Sequence, residues 1–392
     1  MSAWSWLLPV WAGSTSIVWC GLMAVGMRAS LRFKTLRSLA AEEPAVWPKL
    51  SVVVPACDEE DTIGPALATL SAQDYPDLEI VVVDDRSRDG TGRIADEAAA
   101  RDARIRSLHV RELPPGWLGK VNALAQGTAA AGGAWLLFTD ADVHFAPGIL
   151  RLAVAYVEAN GVDHLAVAPE LIGSGWAQDT VSVAFATAYM IGTRADRVGR
   201  PGSKAYAGVG AFNLVRRAAL ARTPGFSWLR LEVLDDVGLA LMLRNAGAKA
   251  AFAIGIGDVT VRWYRSLAAM ARGLEKNMFG AFCRYRLSRL GALLAAVALF
   301  VPGPAVALAL SSRPLVFWLG VATAGLVLVN ALLLAIRTRR SFLAYVLAPV
   351  GALVLGLFVI RSAWRVLTDG GITWRGTFYP VRELREGQRV RL

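Results

Sequence analysis

The stretch Leu136-Leu137-Phe138-Thr139-Asp140-Ala141-Asp142 decides how the rest of this 392-residue chain is read. Apolar residues suited to a buried strand end abruptly in two carboxylates one residue apart. A buried strand should not end in paired acids unless something cationic meets them. A divalent metal carrying a nucleotide diphosphate meets that need. The competing reading is a polar turn, so the weight falls on whether other parts of the chain agree.

Outward from this stretch, short apolar segments alternate with helical ones. Residues 50–55, 79–83, 105–110 and 135–139 read as buried strands, and helices are expected near 62–72, 91–101 and 120–131. Such alternation implies a parallel α/β sheet covered on both faces, in which ligands bind beyond the carboxyl ends of the strands. The acids fall there: Asp58 and Glu59 after the first strand, Asp84 and Asp85 after the second, Asp140 and Asp142 after the fourth. They would repel one another unless each has its own partner. A metal suits Asp142, a nucleobase N–H suits Asp84 or Asp85, and a base or ribose suits the first loop. Lys120, at the start of a helix, is placed to meet a phosphate or a carboxylate of the same site, or is a solvated surface lysine.

The composition, 55% hydrophobic, is too apolar for an ordinary soluble protein. No charge interrupts residues 4–27, long enough to cross ~30 Å of hydrocarbon. A signal peptide is the alternative, but the run lacks a basic leading region and is too long. Arg28, Arg32, Lys34 and Arg37 follow it, so what comes next is expected in the cytoplasm. Further uncharged runs occupy 290–312, 314–336 and 341–360. Arginines at 284, 286 and 289, and at 337, 339 and 340, suggest a hairpin with both ends inside. If the third run crosses, the tail from Arg361, with seven arginines against three acids, ends outside. If it lies in the interface or turns back near Pro349, the tail stays inside beside an anionic leaflet, the preferred reading.

The expected organisation is an anchor at 1–30, a basic linker at 31–48, a catalytic domain at 49–288, membrane or interfacial helices at 289–361 and a basic tail at 362–392. This describes a multi-pass protein of the inner cell membrane with its catalytic domain in the cytoplasm. The net charge of +11 reads as membrane topology rather than nucleic-acid binding, because the basic residues cluster beside apolar runs without a recognition motif. Cys20, Cys57 and Cys283 are too few and scattered for a disulfide framework or zinc site. The sequence leaves the oligomeric state open.

The segments Val53-Val54-Pro55-Ala56-Cys57-Asp58-Glu59-Glu60, Val82-Val83-Asp84-Asp85-Arg86-Ser87-Arg88-Asp89-Gly90-Thr91, Gly119-Lys120, Thr139-Asp140-Ala141-Asp142 and Leu234-Asp235-Asp236, in that order and spacing, resemble family 2 glycosyltransferases. With the flanking apolar runs, the chain is similar to the membrane-bound branch that modifies lipids, including carotenoid, hopanoid-associated and ceramide glycosyltransferases. The tail Gly371-Ile372-Thr373-Trp374-Arg375-Gly376, followed by Tyr379, is similar to a segment often found at the end of that branch. The resemblance implies a GT-A (Rossmann-like) fold and an inverting transfer from a nucleotide diphosphate sugar, most often a UDP-sugar, to a membrane lipid. It also implies roles for individual residues. Pro55, Ala56 and Glu59 would line the nucleotide, Asp84 or Asp85 would hold the uracil, and Asp140 would contact the ribose or diphosphate. Asp142 would bind Mg²⁺ or Mn²⁺, Lys120 and Asp235 would belong to the donor site, and Asp236 would be the general base.

Asp235-Asp236 stands where the family usually has Glu-Asp. The Gln-X-X-Arg-Trp motif of processive members is missing: the corresponding stretch reads Gly273-Leu274-Glu275-Lys276-Asn277, and Arg262-Trp263 comes too early. Transfer of a single sugar is therefore expected, with a processive polysaccharide synthase as the alternative. A pyrophosphorylase would want a basic glycine-rich first loop. An inactive membrane scaffold would have no reason to keep these acids. His144 is either an extra metal ligand or a loop residue. The run Gly208-Val209-Gly210-Ala211-Phe212-Asn213 is either a loop near the acceptor or a tight turn, and Trp176, Trp228 and Trp263 either stack on sugar or lipid or, the preferred reading, pack or anchor at a membrane interface.

Overall fold

The computed structural model describes residues 6–391, so the start of the apolar run at 4–27 lies outside the described residues. These residues divide into two compact units. One holds the chain up to Arg32 together with Gly173–Gly192 and Tyr264–Thr368; the other holds Phe33–Ile172, Thr193–Trp263 and the chain from Asp369 onward.

The second unit is built on an eight-stranded sheet. Its strands are β1 (Leu50–Ala56), β2 (Leu78–Asp85), β3 (Ile105–Val110), β4 (Trp135–Phe138), β5 (Val143–Phe145), β6 (His164–Leu171), β7 (Asn213–Arg216) and β8 (Ala250–Val261), in the order β3-β2-β1-β4-β7-β6-β8-β5. Every residue of β1 and β2 is buried, as continuous Val/Ile/Leu runs require in a sheet covered on both faces. The helices Ile63–Ser71, Thr91–Arg101 and Gly119–Ala130 return the chain between the parallel strands β1 to β4. All four strands, and the helices between them, stand where the sequence periodicity puts them.

The sheet is not wholly parallel, which corrects the expectation. β7 runs antiparallel to both β4 and β6, β6 is parallel to β8, and β5 is antiparallel to β8. Periodicity reports that a segment is a strand but not its direction, and the partner of β4 comes from about eighty residues downstream. Pro55 is tolerated in a central strand because β4 pairs with β1 only as far as Val53. Val53 faces β4, where its carbonyl accepts from Thr139 N–H, so Pro55 two residues on faces the side from which β4 has departed. That departure opens the carboxyl edge of the sheet.

The first unit contains the four helices long and apolar enough to cross a membrane: Leu7–Arg32, Leu287–Ala309, Pro314–Thr338 and Ala348–Asp369. The second is broken before Gly303, with Pro302 at the break. The carbonyls freed at Leu299 and Phe300 accept from the indole N–H groups of Trp11 (3.1 Å) and Trp19 (2.9 Å), as orphaned helix-end groups in an apolar setting demand. The expected run at 341–360 is split. A short helix, Phe342–Val346, ends at Leu347 and a longer one continues to Asp369, carrying Arg361 and Arg365 onto the carboxylate of Glu275 at 3.2 and 3.0 Å. An apolar helix at Trp176–Thr193, interrupting the sheet sequence, also joins this unit; a methyl group at Gly351 would sit 2.5 Å from the carbonyl of Thr180.

The tail returns to the sheet's unit. β9 (Gly371–Trp374) and β10 (Thr377–Pro380) form an antiparallel hairpin, and a short helix, Val381–Gly387, follows. Leu384 and Val390 are each 1% exposed.

Candidate active site

The carboxyl ends of β1, β2 and β4 gather the acids that the sequence singles out. Lys120 is the central cation, with Nζ 2.7 Å from Asp140 Oδ1 and 3.3 Å from Asp235 Oδ2. Burial works against its charge, but the carboxylates of Asp140, Asp235 and Asp236 outweigh burial and raise its pKa. Lys120 is thus held between carboxylates rather than free in solvent. It starts the helix Gly119–Ala130, where Gly119 leaves no room for a Cβ against the Asp85 carboxylate.

Asp235 and Asp236 open the helix Asp235–Asn245, as the apolar run after them predicts. Asp236 Oδ2 accepts from the backbone N–H of Gly210 at 2.9 Å, and Oδ1 accepts from Val237 N–H at 2.8 Å. Burial and the adjacent Asp235 charge raise its carboxyl to about 7, against the lowering effect of Lys120. The helix terminus alone would favour the ionised form; here desolvation wins. The result is a carboxyl that exchanges its proton near neutrality, as a general base needs.

Asp142 lies just before β5, and burial with the charges of Asp140 and Glu59 raises it to about 7. Lys120 offsets this only in part, and an oxygen-binding dication would supply the remaining counter-charge. Among the described residues no three His, Cys, Asp or Glu side chains form a ready cage. That suits an ion which takes one or two protein carboxylates and completes its shell from substrate phosphates. His144 lies within β5, opposite Thr260 of β8.

The first two acidic loops are laced together. Asp58 N–H donates to Ser87 Oγ, Arg88 N–H to Asp58 Oδ1 (2.8 Å), Glu59 N–H to Thr91 Oγ1 (2.7 Å) and Gly90 N–H to Glu60 Oε2 (2.7 Å). Pro55 and Ala56, at the end of β1, are buried against β2, with Ala56 level with Asp84. Asp84 meets His109 Nδ1 at 3.0 Å and accepts from Ser87 N–H; hydrogen bonds donated to Asp84 and then to Asp96 raise the His109 pKa. Asp85 is gripped by Arg86 through Nε at 2.8 Å and Nη2 at 3.0 Å.

Three further features complete this cluster. The loop of Gly208 and Gly210 lies inside the site: Asp140 N–H donates to the carbonyl of Gly210, and a Cβ at Gly210 would sit 2.5 Å from Asp140 Oδ2. Glu232, 1% exposed, accepts from the N–H groups of Leu234, Arg389 and Val390, linking the approach to Asp235 with the tail. Arg375, at the tip of the tail hairpin, pairs with Glu59 at 2.5 Å. Glycine spacing was a signal for the first and the tail segment at 371–376 for the third, though neither revealed its partner; nothing local pointed to Glu232.

Residues 51–223 match the sequence model described as Glycosyl transferase family 2. The chain is 32% identical over 116 residues to the uncharacterized glycosyltransferase EpsJ of Bacillus subtilis, covering 30% of this chain and 32% of that protein. It is 31% identical over 126 residues to 4,4'-diaponeurosporenoate glycosyltransferase of Staphylococcus aureus, covering 32% and 30%. It is 33% identical over 103 residues to GalNAc(5)-diNAcBac-PP-undecaprenol beta-1,3-glucosyltransferase of Campylobacter jejuni, covering 26% and 32%. The matches thus span about a third of the length of these curated relatives. Among solved structures, the mannosyltransferase PcManGT of Pyrobaculum calidifontis, in complex with GDP-Man and Mn²⁺, aligns with TM-score 0.55 at 20% identity, covering 93% of this chain and 99% of that one. At that identity the likeness is one of fold. With the acidic motifs at one sheet edge and the match over 51–223, this chain carries a family 2 glycosyltransferase domain of GT-A fold.

Proposed function

We propose that this protein is an inverting glycosyltransferase that moves one sugar from a nucleotide diphosphate sugar, a UDP-sugar first among the candidates, to a lipid in the membrane. The observation that carries the reading is Asp236: a half-buried carboxyl poised near neutrality at a helix N-terminus, beside the Asp235–Lys120–Asp140 cluster. Its proposed role is to take the proton of an acceptor hydroxyl as that oxygen attacks the anomeric carbon. The bond from that carbon to the diphosphate breaks with inversion, and the nucleotide diphosphate leaves. Lys120 offsets charge on the leaving group, which also draws the lysine away from its carboxylate partners. Asp142 is the residue we assign to Mg²⁺ or Mn²⁺, and the ion when bound neutralises the diphosphate. Asp140 and Asp235 hold Lys120 in place, Asp140 on the ribose or diphosphate side. Pro55, Ala56 and Glu59 line the nucleotide. Asp84 or Asp85 holds the base; in this structure Asp84 is engaged by His109 and Asp85 by Arg86.

A lipid acceptor is supported by the membrane-length helices before and after the sheet sequence, and by relatives named for carotenoid-type and undecaprenol-linked substrates. The proposed location is the inner membrane, with sheet and tail in the cytoplasm. Because the tail folds into the sheet's unit, an even number of the three C-terminal helices crosses. Ala348–Asp369 is the one that does not, as its most apolar window is 44% buried against 11% and 28% for the other two.

The test is incubation of the full-length protein in vesicles with labelled UDP- and GDP-sugars, Mn²⁺ and membrane lipid extract. A singly glycosylated lipid is expected. A polymer ladder, or preferred transfer to a water-soluble acceptor, would count against the reading.

A further inference from the structure

The tip of the tail hairpin is a two-residue turn in which Arg375 and Gly376 both have positive φ, 49° and 77°. That is the turn a tight hairpin favours, but its first position suits Asn, Asp or Gly; an arginine there costs about 1 kcal/mol or more. The strain is held by the anchoring of the strand that follows, β10. Arg86 Nη1 donates to Thr377 Oγ1 at 3.3 Å, and Tyr379, two residues on, is buried. The backbone is thus fixed so that one long cation reaches the loop after β1. Its Nη2 pairs with Glu59 Oε1 and its Nη1 lies 3.3 Å from the Asp58 carbonyl.

Glu59 follows β1, and Asp140 and Asp142 follow β4, its parallel neighbour, so all three lie at the same carboxyl edge of the sheet. Arg375 therefore stands beside the place assigned above to the metal and the diphosphate. The cluster of Glu59, Asp85, Asp140, Asp142, Asp235 and Asp236 is rich in negative charge, and a nucleoside diphosphate adds more. Lys120 is shared between two carboxylates and Arg86 is committed bidentately to Asp85. The Arg375 guanidinium makes a single close contact with its carboxylate, and its side chain is 37% exposed. A planar fork of N–H donors matches phosphate geometry.

From this geometry we propose that Arg375 is a ligand of the donor's diphosphate, delivered from the C-terminal tail, with Glu59 its partner when no nucleotide is bound. The proposal rests on the transferase reading above. On binding, the guanidinium turns from the Glu59 carboxylate to the phosphate oxygens, and Glu59 is released toward the nucleoside. The donor site would then be completed by residues more than 300 positions from its first loop, and the tail would be part of the binding site rather than a charged appendage.

The test measures binding of UDP, GDP and the matching nucleosides to full-length protein in detergent with Mn²⁺, for wild type, Arg375→Met and Arg375→Lys. Hydrogen exchange over 371–391 reports whether the tail stays docked. Arg375→Met is expected to weaken diphosphate binding by roughly 10- to 100-fold, the range of one charge-assisted contact. Arg375→Lys should recover part of this, and nucleoside binding should change by less than about threefold. Unchanged diphosphate affinity in both variants overturns the assignment. So does an equal loss for diphosphate and nucleoside, with or without undocking of the tail, because a strut would act on both. Wild-type protein that binds neither diphosphate overturns the transferase reading itself.

Discussion

Gly210 and Asp236 are joined by a hydrogen bond of 2.9 Å from the backbone N–H of one to the carboxylate of the other, while the Gly210 carbonyl accepts from Asp140 N–H. One glycine thus spaces the proposed base from the acid that holds Lys120. Because a backbone N–H donates to the ionised form, this contact keeps Asp236 accessible to ionisation despite its burial.

Asp236→Asn keeps the shape and one of the two acceptor oxygens, giving up either the Gly210 or the Val237 hydrogen bond, and removes basicity. Turnover is expected to fall by roughly 10²- to 10⁴-fold with UDP or GDP affinity retained. Near-normal turnover in a steady-state lipid assay would falsify the base assignment.

Gly210→Ala would place a methyl group 2.5 Å from Asp140 Oδ2. Displacing Asp140, and Lys120 with it, is expected to lower kcat by up to roughly 10²-fold with little loss of stability. Gly64→Ala is the control: its Cβ would meet Ile94 Cγ2 at an ordinary 3.5 Å, so activity should be unchanged. Equal activity in the two variants would argue against the spacing role.

Asp142→Ala should abolish the dependence of nucleotide diphosphate binding on Mn²⁺, because the remaining acids carry no free charge for the ion. Calorimetric titration of UDP and GDP with Mn²⁺ and with chelator gives the comparison. Wild-type turnover that persists in excess chelator refutes the metal assignment.

The carboxyls of Asp142 and Asp236 are raised from 3.8 to about 7, so between about pH 4 and 7 the folded chain binds more protons than the unfolded one. Stability contributed by these groups therefore falls as pH rises through that window and levels off above it. Melting temperatures across pH 4.5 to 8 should show the decline in wild type and a shallower one in the Asp142→Asn, Asp236→Asn double variant. Parallel curves would contradict the raised values. Turnover, which needs Asp236 ionised, should rise over the same range.

Glu232→Ala leaves the buried N–H groups of Leu234, Arg389 and Val390 without their acceptor. A loss of about 2 to 3 kcal/mol is expected, with faster hydrogen exchange confined to the tail and the start of the helix at Asp235. Uniform exchange across the sheet, or no change in the tail, would show that Glu232 is not the link.

The sequence by itself determined the first half of the sheet. Runs such as Ile80-Val81-Val82-Val83 have one low-energy fate, a strand buried on both faces, and the glycines and acids after each run mark the ligand edge. It also determined that Asp235 and Asp236 begin a helix, since an apolar helical run follows them at once. Only the tertiary structure decided the rest. The direction of β7 and its place beside β4, the Gly210 bridge, the Glu232 clasp and the reach of Arg375 to Glu59 join segments 26 to 316 residues apart. Such pairings depend on which surfaces meet once the chain has collapsed, and hydrophobic periodicity carries no record of that. The same holds for Asp236: at a helix terminus its sequence position favours ionisation, and only burial beside Asp235 moves it to neutrality.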